Sequence, residues 1–191
     1  MKKVFPFKSK LEDNILELRP LTDTDFEDLS LIAFDPSIWK YMQQVIETPT
    51  DLKNWIQGGI YDFMNKQRIP LAIVHKELNQ VIGSTSIGNI SERDNRLEIG
   101  WTWLGIDHQG TGVNKRVKRL LLEYSFDYLL ADRVELKTDL LNQKSRRAIT
   151  NIGATQEGIL RSHTLMPDGR RRDTVYYSIL KSEWSRVKQI L

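Results

Sequence analysis

Leu97 to Leu121 reads LEIGWTWLGIDHQGTGVNKRVKRLL. Leu97 to Leu104 is an apolar, aromatic-rich run of strand length. A glycine-containing turn follows and opens directly into a basic segment whose apolar residues recur at helical spacing. The first amides of a helix have no intrahelical acceptor, and the aligned peptide dipoles favour an anion at that end. The stretch is therefore read as strand, phosphate-holding turn and helix. A phosphate-bearing cofactor docks at the turn, and the chemistry lies beside it on the strand.

Upstream, Ile69 to His75 and Val81 to Ile87 are apolar runs joined by the polar link Lys76 to Gln80, a hairpin signature. Apolar residues at alternate and adjacent positions place both in the centre of a sheet, covered on both faces. Ser91 to Asn95 is a further turn, so Leu97 to Leu104 completes an antiparallel meander. Nearer the N-terminus, Ile15 to Pro20 reads as an opening strand. A helix follows, capped by Thr22 or Asp23 and carrying Phe26, Leu29 and Ile32 or Ala33. Asp35-Pro36 is a turn signal. Ile38, Trp39, Tyr41 and Met42 after it either pack between helices or wall an acceptor pocket. Thr48-Pro49 opens a helix with Leu52, Trp55, Ile56, Ile60, Phe63 and Met64 on its stripe. Gly58-Gly59 within it implies a close neighbour or a bend.

Downstream, the helix from Val113 carries apolar residues on two faces in its second half. Val134, Leu136 and Thr138 then alternate with charged residues as a strand. A strand, helix, strand unit of this length implies a parallel pair joined by a right-handed crossover. Asn142 to Gly153 is a short helix, Glu157 to Leu165 and Arg172 to Leu180 form a hairpin about Pro167-Asp168-Gly169, and Glu183 to Ile190 closes the chain.

The 191 residues suit a single domain over the whole chain, 1–191. No apolar run reaches the ~20 residues of a spanning helix, and the N-terminal lysines precede no apolar core of a signal peptide, so a soluble, cytoplasmic protein is expected. With no cysteine, disulfides, thiolate metal sites and a cysteine nucleophile are excluded. The histidines, His75, His108 and His163, make no metal-ligand spacing, and no metal is assigned. Net charge is only +3, so the basic clusters at Lys115–Arg119, Lys144–Arg147 and Arg170–Arg172 matter by position. The last of these either attracts an acidic acceptor or RNA, or is an exposed hairpin tip.

Gln109-Gly110-Thr111-Gly112-Val113-Asn114 fits Q-x-x-G-x-(G/A) except at its last place. Gly110 and Gly112 let the backbone come close to a pyrophosphate, and the amides from Gly110 to Lys115 form a nest. The hexapeptide is neither a P-loop nor a dinucleotide fingerprint. In its context the chain resembles the GNAT N-acetyltransferases, and within them the RimJ/RimL-like branch, which acetylates protein N-termini among other amines. The segments that carry the resemblance are LEIGWTWL, HQGTGVNKRVKRLLLEYSFDYL, RVELKTDLLNQKSRRAI, IGATQEGILR and DGRRRDTVYYSIL. Asn114 stands where the superfamily usually has Gly or Ala, a departure that the branch tolerates.

The resemblance implies an α/β (α+β) fold, a mixed and mostly antiparallel central sheet flanked by helices, with a parallel pair at an acetyl-CoA site. It implies acetyl-CoA as co-substrate, bound by the backbone of Trp101, Thr102, Trp103 and Leu104 along the pantetheine arm. The pyrophosphate falls to Gln109, Gly110, Thr111, Gly112, Val113, Asn114 and Lys115, with Asn142 and Arg146 also in reach. An amide of the strand would polarise the thioester carbonyl. Transfer to the amine is direct, in agreement with the lack of cysteine and of a G-x-S-x-G elbow.

Glu98 is the candidate base, eleven residues before Gln109, where several members of the superfamily place a catalytic glutamate. Beside an apolar floor its pKa would rise toward the working range. A strand glutamate in a structural hydrogen bond gives the same pattern. By resemblance Asn142 orients amides and Ser145 hydrogen-bonds the departing sulfur, whereas plain capping also explains Asn142. Trp39, Tyr41 and Met42 are the candidate acceptor wall. Two functions stand at this point. One is an N-acetyltransferase acting on a primary amine, a protein N-terminus or a small molecule. The other is a basic module that binds CoA or RNA without turnover. Membrane association is not expected, nucleic acid is the weaker partner, and a homodimer stays open.

Overall fold

The computed structural model describes residues 3–5, 7 and 10–191. The apolar runs about the Leu97 segment form the expected meander of β3 (Ile69–His75), β4 (Gln80–Ser91) and β5 (Arg96–Leu104). On one side it continues into β2 (Leu16–Pro20) and a two-residue β1 (Leu11–Glu12). On the other side follow β6 (Arg133–Asp139), β8 (Arg171–Leu180) and, at the edge, β7 (Thr155–Leu165). The single sheet has eight strands in the order β1-β2-β3-β4-β5-β6-β8-β7. Every neighbouring pair is antiparallel except β5 and β6. That parallel pair requires a crossover, which α4 (Val113–Glu123) supplies.

Two cores lie on the two faces. Leu16, Leu18, Leu71, Ile73, Leu97 and Ile99 meet Val117 and Leu121 of α4, and the same core runs on through Val134, Leu136, Val175 and Tyr177. Trp184 and Val187 of α6 (Trp184–Ile190) close it. The opposite core is smaller. It packs Leu29 of α1 (Phe26–Ser30), Trp39 of α2 (Pro36–Trp39) and Leu52 and Ile56 of α3 (Pro49–Met64) on Ala72, Val81 and Trp103. Among the described residues this core takes nothing beyond Trp103. On that face β6, β8 and β7 are left without a helical cover.

Local chemistry explains the element ends. Thr48 and Asp51 form a capping box before Pro49, and Asp35 accepts the amide of Ser37 ahead of α2. Gly59 resolves the weak point of α3. A Cβ there would lie 3.2 Å from Leu21 Cδ2, so the glycine admits a close neighbour and α3 runs unbroken. The helix expected after Pro20 is shorter than its stripe suggests. A 3₁₀ turn at Asp23–Asp25 precedes α1, and buried Asp25 is held by both terminal nitrogens of Arg19. Beyond α4 the coil widens into one π turn at Tyr124–Tyr128, with the Leu129 amide reaching Tyr124 O at 2.9 Å.

Two irregularities position the site. Ser84 pairs with Trp103 and Ser86 with Gly100, so Trp101 and Thr102 both oppose Thr85 in a β-bulge, with Trp101 at φ +52°. Pairing of β5 with β6 covers only Arg96–Glu98 against Arg133–Glu135. Past Glu98 the two strands fork.

Candidate active site

Glu98 stands at the fork, 3% exposed although it is a carboxylate. Asn89 Nδ2 donates to its Oε2 at 2.6 Å, and Lys137 Nζ lies 2.9 Å from the same oxygen. Oε1 accepts no hydrogen bond from the described residues and lies beside Gly100, 3.0 Å from where a Cβ would be. The apolar floor expected under Glu98 is thus replaced by a cationic and amide-lined one. The carboxylate opens on a cleft of about 640 Å³ lined by Asn89, Arg96, Glu135, Lys137 and Tyr176 among others. This cleft lies on the uncovered face. Trp101 borders it, its ring 5.3 Å from the Arg68 guanidinium carbon and 6.0 Å from Lys137 Nζ. The Lys137 ammonium also sits 5.8 Å from the ring centroid of Tyr176.

The other half of the site is the turn. Gly110 and Gly112 adopt φ of +81° and +90°, conformations that suit glycine, and a Cβ on either would meet nothing within 4 Å. No side chain caps α4, unlike α3. Its first amides therefore point at open space with the dipole behind them. Lys115 is exposed on the first turn of the same helix. Gln109 braces the turn, donating to Leu104 O at 3.0 Å and accepting Lys144 Nζ at 2.6 Å. Thr111 Oγ1 donates back to His108 O at 2.8 Å. The side chains of Trp103 and Leu104 go into opposite cores, so beyond the fork they offer a ligand backbone.

Between the halves lies a residue that the charge cluster concealed. Lys118 is 6% exposed and donates to Thr102 Oγ1 at 2.7 Å, and Thr102 in turn shares a hydrogen bond with Thr85 at 2.8 Å. Burial pushes its amine from an ordinary 10.5 down to about 7, against the pull of the Glu98 charge. Asn114, one turn earlier, has a buried Oδ1 without a hydrogen-bond partner. The unpaired edge of β5, the bare helix end, the open glycines and this orphaned oxygen together fit a long ligand with an amide-bearing arm and an anionic end.

Other expected site residues are placed as follows. Asn142 caps α5 (Gln143–Asn151), accepting the Ser145 amide at 3.0 Å. The Ser145 hydroxyl has no hydrogen bond within the described residues, and the side chain is half-buried. Arg146 makes contacts on its own side of the sheet. Its Nε donates to Tyr177 Oη at 3.3 Å and one terminal nitrogen to Leu140 O at 3.4 Å. Trp39 takes the packing alternative: it is 2% exposed, donates to Ala33 O and packs 5.0 Å from Trp103 in the core. Met42 packs on the same core. Tyr41 is half-buried.

Arg172, expected on an exposed hairpin tip, is buried at 6% exposure. The signal for it was strand parity. Arg172, Thr174 and Tyr176 alternate with Val175, Tyr177 and Ile179, so they share the face opposite the larger core. The same parity on β6 brings Glu135, Lys137 and Asp139 beside them.

A family profile described as an acetyltransferase (GNAT) domain matches residues 16–155. Among curated proteins, the "Uncharacterized N-acetyltransferase p20" of Bacillus licheniformis is 29% identical over 171 residues, 89% of this chain and 95% of the relative. The "Putative ribosomal N-acetyltransferase YdaF" of Bacillus subtilis strain 168 is 35% identical over 106 residues, 56% of this chain and 57% of the relative. The crystal structure of a GCN5-related N-acetyltransferase from Brucella melitensis superposes with a TM-score of 0.89 at 25% identity, covering 96% of this chain and 84% of that one.

Proposed function

The chain belongs to the GNAT acetyltransferase family, and on that premise we propose that it moves an acetyl group from acetyl-CoA directly to a primary amine. The observation that carries this is the fork. β5 loses its parallel partner immediately after Glu98 and runs with a bare edge to the uncapped end of α4. When bound, acetyl-CoA supplies the acyl group as a thioester. The amides from Gly110 to Lys115 hold its diphosphate, and the β5 backbone from Trp101 to Leu104 holds its amide arm, with Gln109 bracing the turn between them. Asn114 presents its buried oxygen along the same arm.

On the acceptor side, Glu98 Oε1 takes the proton of the incoming ammonium. Asn89 and Lys137 fix Oε2 and so aim the free oxygen. Asn142 sets the start of α5, and the Ser145 hydroxyl is the donor for the leaving sulfur. The acceptor lies over Trp101 in the cleft of the uncovered face. The B. subtilis relative is named a ribosomal N-acetyltransferase. A protein N-terminus, in keeping with a RimJ/RimL-like place in the family, is accordingly one of the acceptor classes proposed.

The test is release of CoA thiol across a panel of small amines and peptides. Wild-type protein should consume acetyl-CoA with at least one class. Glu98→Gln should lower kcat by about 10²–10⁴-fold with CoA affinity unchanged. Tight CoA binding with no acceptor consumed would overturn the reading.

A further inference from the structure

Two cations are buried without an ion pair among the described residues, and they stand on opposite faces of the sheet. Lys118 answers its isolation by giving up a proton near neutrality. Arg172 has no such exit. Burial lowers its pKa as well, but a guanidinium stays charged at neutral pH. A charge in that position is costly until an anion meets it.

The carboxylates nearby are engaged elsewhere. Asp139 is paired with Arg170 and accepts the amide of Leu141 at 2.9 Å. Asp173 accepts the amide of Ser162 at 2.7 Å. Glu98 is held by Lys137 and Asn89. Arg172 Nε donates to Thr174 Oγ1 at 3.1 Å, and the two terminal nitrogens donate to nothing among the described residues. The carboxylates of Asp139 and Glu98 act on its guanidinium favourably and the Arg170 cation unfavourably, which puts it among the charged groups of the uncovered face. Its free fork is thus held on the acceptor face, on the same side of the sheet as the base.

We propose that Arg172 is the anion-binding residue of the acceptor site, and that the acceptor is an amine bearing a carboxylate. The guanidinium fork takes the carboxylate in a bidentate pair while the amine stands at Glu98. This rests on the acetyl-transfer reading for the amine end, whereas the anion site rests on Arg172 alone. The carboxylate belongs either to a free amino acid or to an acidic residue next to a peptide's N-terminus.

The experiment compares acceptors that differ only in the anion: amino acids against their amides, and short peptides with Asp or Glu as first or second residue against the Asn or Gln forms. The carboxylate member of at least one pair should exceed its neutral partner by about 10–100-fold in kcat/KM, mostly through KM. The pair that shows the preference identifies the source of the carboxylate. Arg172→Gln should bring that ratio near unity with the affinity for CoA unchanged, and Arg172→Lys should restore part of the preference. Equal rates for every pair in the wild type, or an unchanged ratio in Arg172→Gln, overturns the proposal. If Arg172→Gln does not fold, the wild-type ratio and Arg172→Lys decide. If no amine is acetylated at all, the transfer reading fails by itself. The anion site is then tested by calorimetry with an N-acetylated acidic dipeptide against its amide, which should show binding of the acid alone, lost in Arg172→Gln and kept in part in Arg172→Lys.

Discussion

Lys118 shows how far one side chain can depart from its neighbours in sequence. Lys115, Arg116 and Arg119 around it are exposed, yet Lys118 is turned under the β5 bulge to meet Thr102. Its amine is depressed to about 7, so between that value and its ordinary 10.5 the unfolded chain binds a proton that the folded chain does not. Stability therefore rises with pH across that window and carries a penalty on the order of 5 kcal/mol below it. Lys118→Met should raise the urea midpoint at pH 7, and the difference from wild type should close by pH 10. Parallel pH profiles for the two proteins would refute the assignment. A charge cluster in the sequence could not announce this residue, because burial depends on which helical face meets the sheet. The stripe Asn114, Lys118, Leu121 and Ser125 was nevertheless visible at helical spacing. Glu98 was legible by its offset, but its partners Asn89 and Lys137 were not, since they come from strands on either side.

Among the elements, β5 and the turn after it carry the site, and both depend on backbone that most residues avoid. The non-glycine positive φ at Trp101 marks the bulge that bends β5, while Gly112 starts α4 from the left-handed region. Gly112→Val would put a branched side chain where only open space stands. It should cost about 1–2 kcal/mol of stability and reduce CoA affinity by well over tenfold in calorimetry. Retained affinity in a folded variant would remove the phosphate role of the turn. The Q-x-x-G turn and the strand before it were readable because glycine spacing and apolar runs are local signals. The bulge, the fork and the π turn were not, because each arises where one strand or helix must fit a neighbour distant in sequence. The partner of Arg146 was hidden for the same reason: its place on α5 is local, its bond to Tyr177 is not.

For the molecule as a whole, the patterning of apolar residues yielded the mixed sheet and its one parallel pair, and the two faces yielded two cores. What the pattern could not show is that the second core ends at Trp103, leaving the C-terminal half of one face without a helix over it. That asymmetry makes the cleft. It also explains why aromatic residues expected to wall an acceptor differ in fate, with Trp39 buried under helices and Tyr41 left at the margin. The fork has a further consequence, written in time. Along β5 beyond Glu98, alternate amides face β4 or the gap, so neighbouring residues of one strand should exchange hydrogen for deuterium at very different rates. The β4-facing set should be slow and the gap-facing set as fast as a loop, and CoA should slow the fast set alone. Uniform protection along the strand would mean that the gap closes in solution, and a ligand would then have to pry open a seam before it could enter.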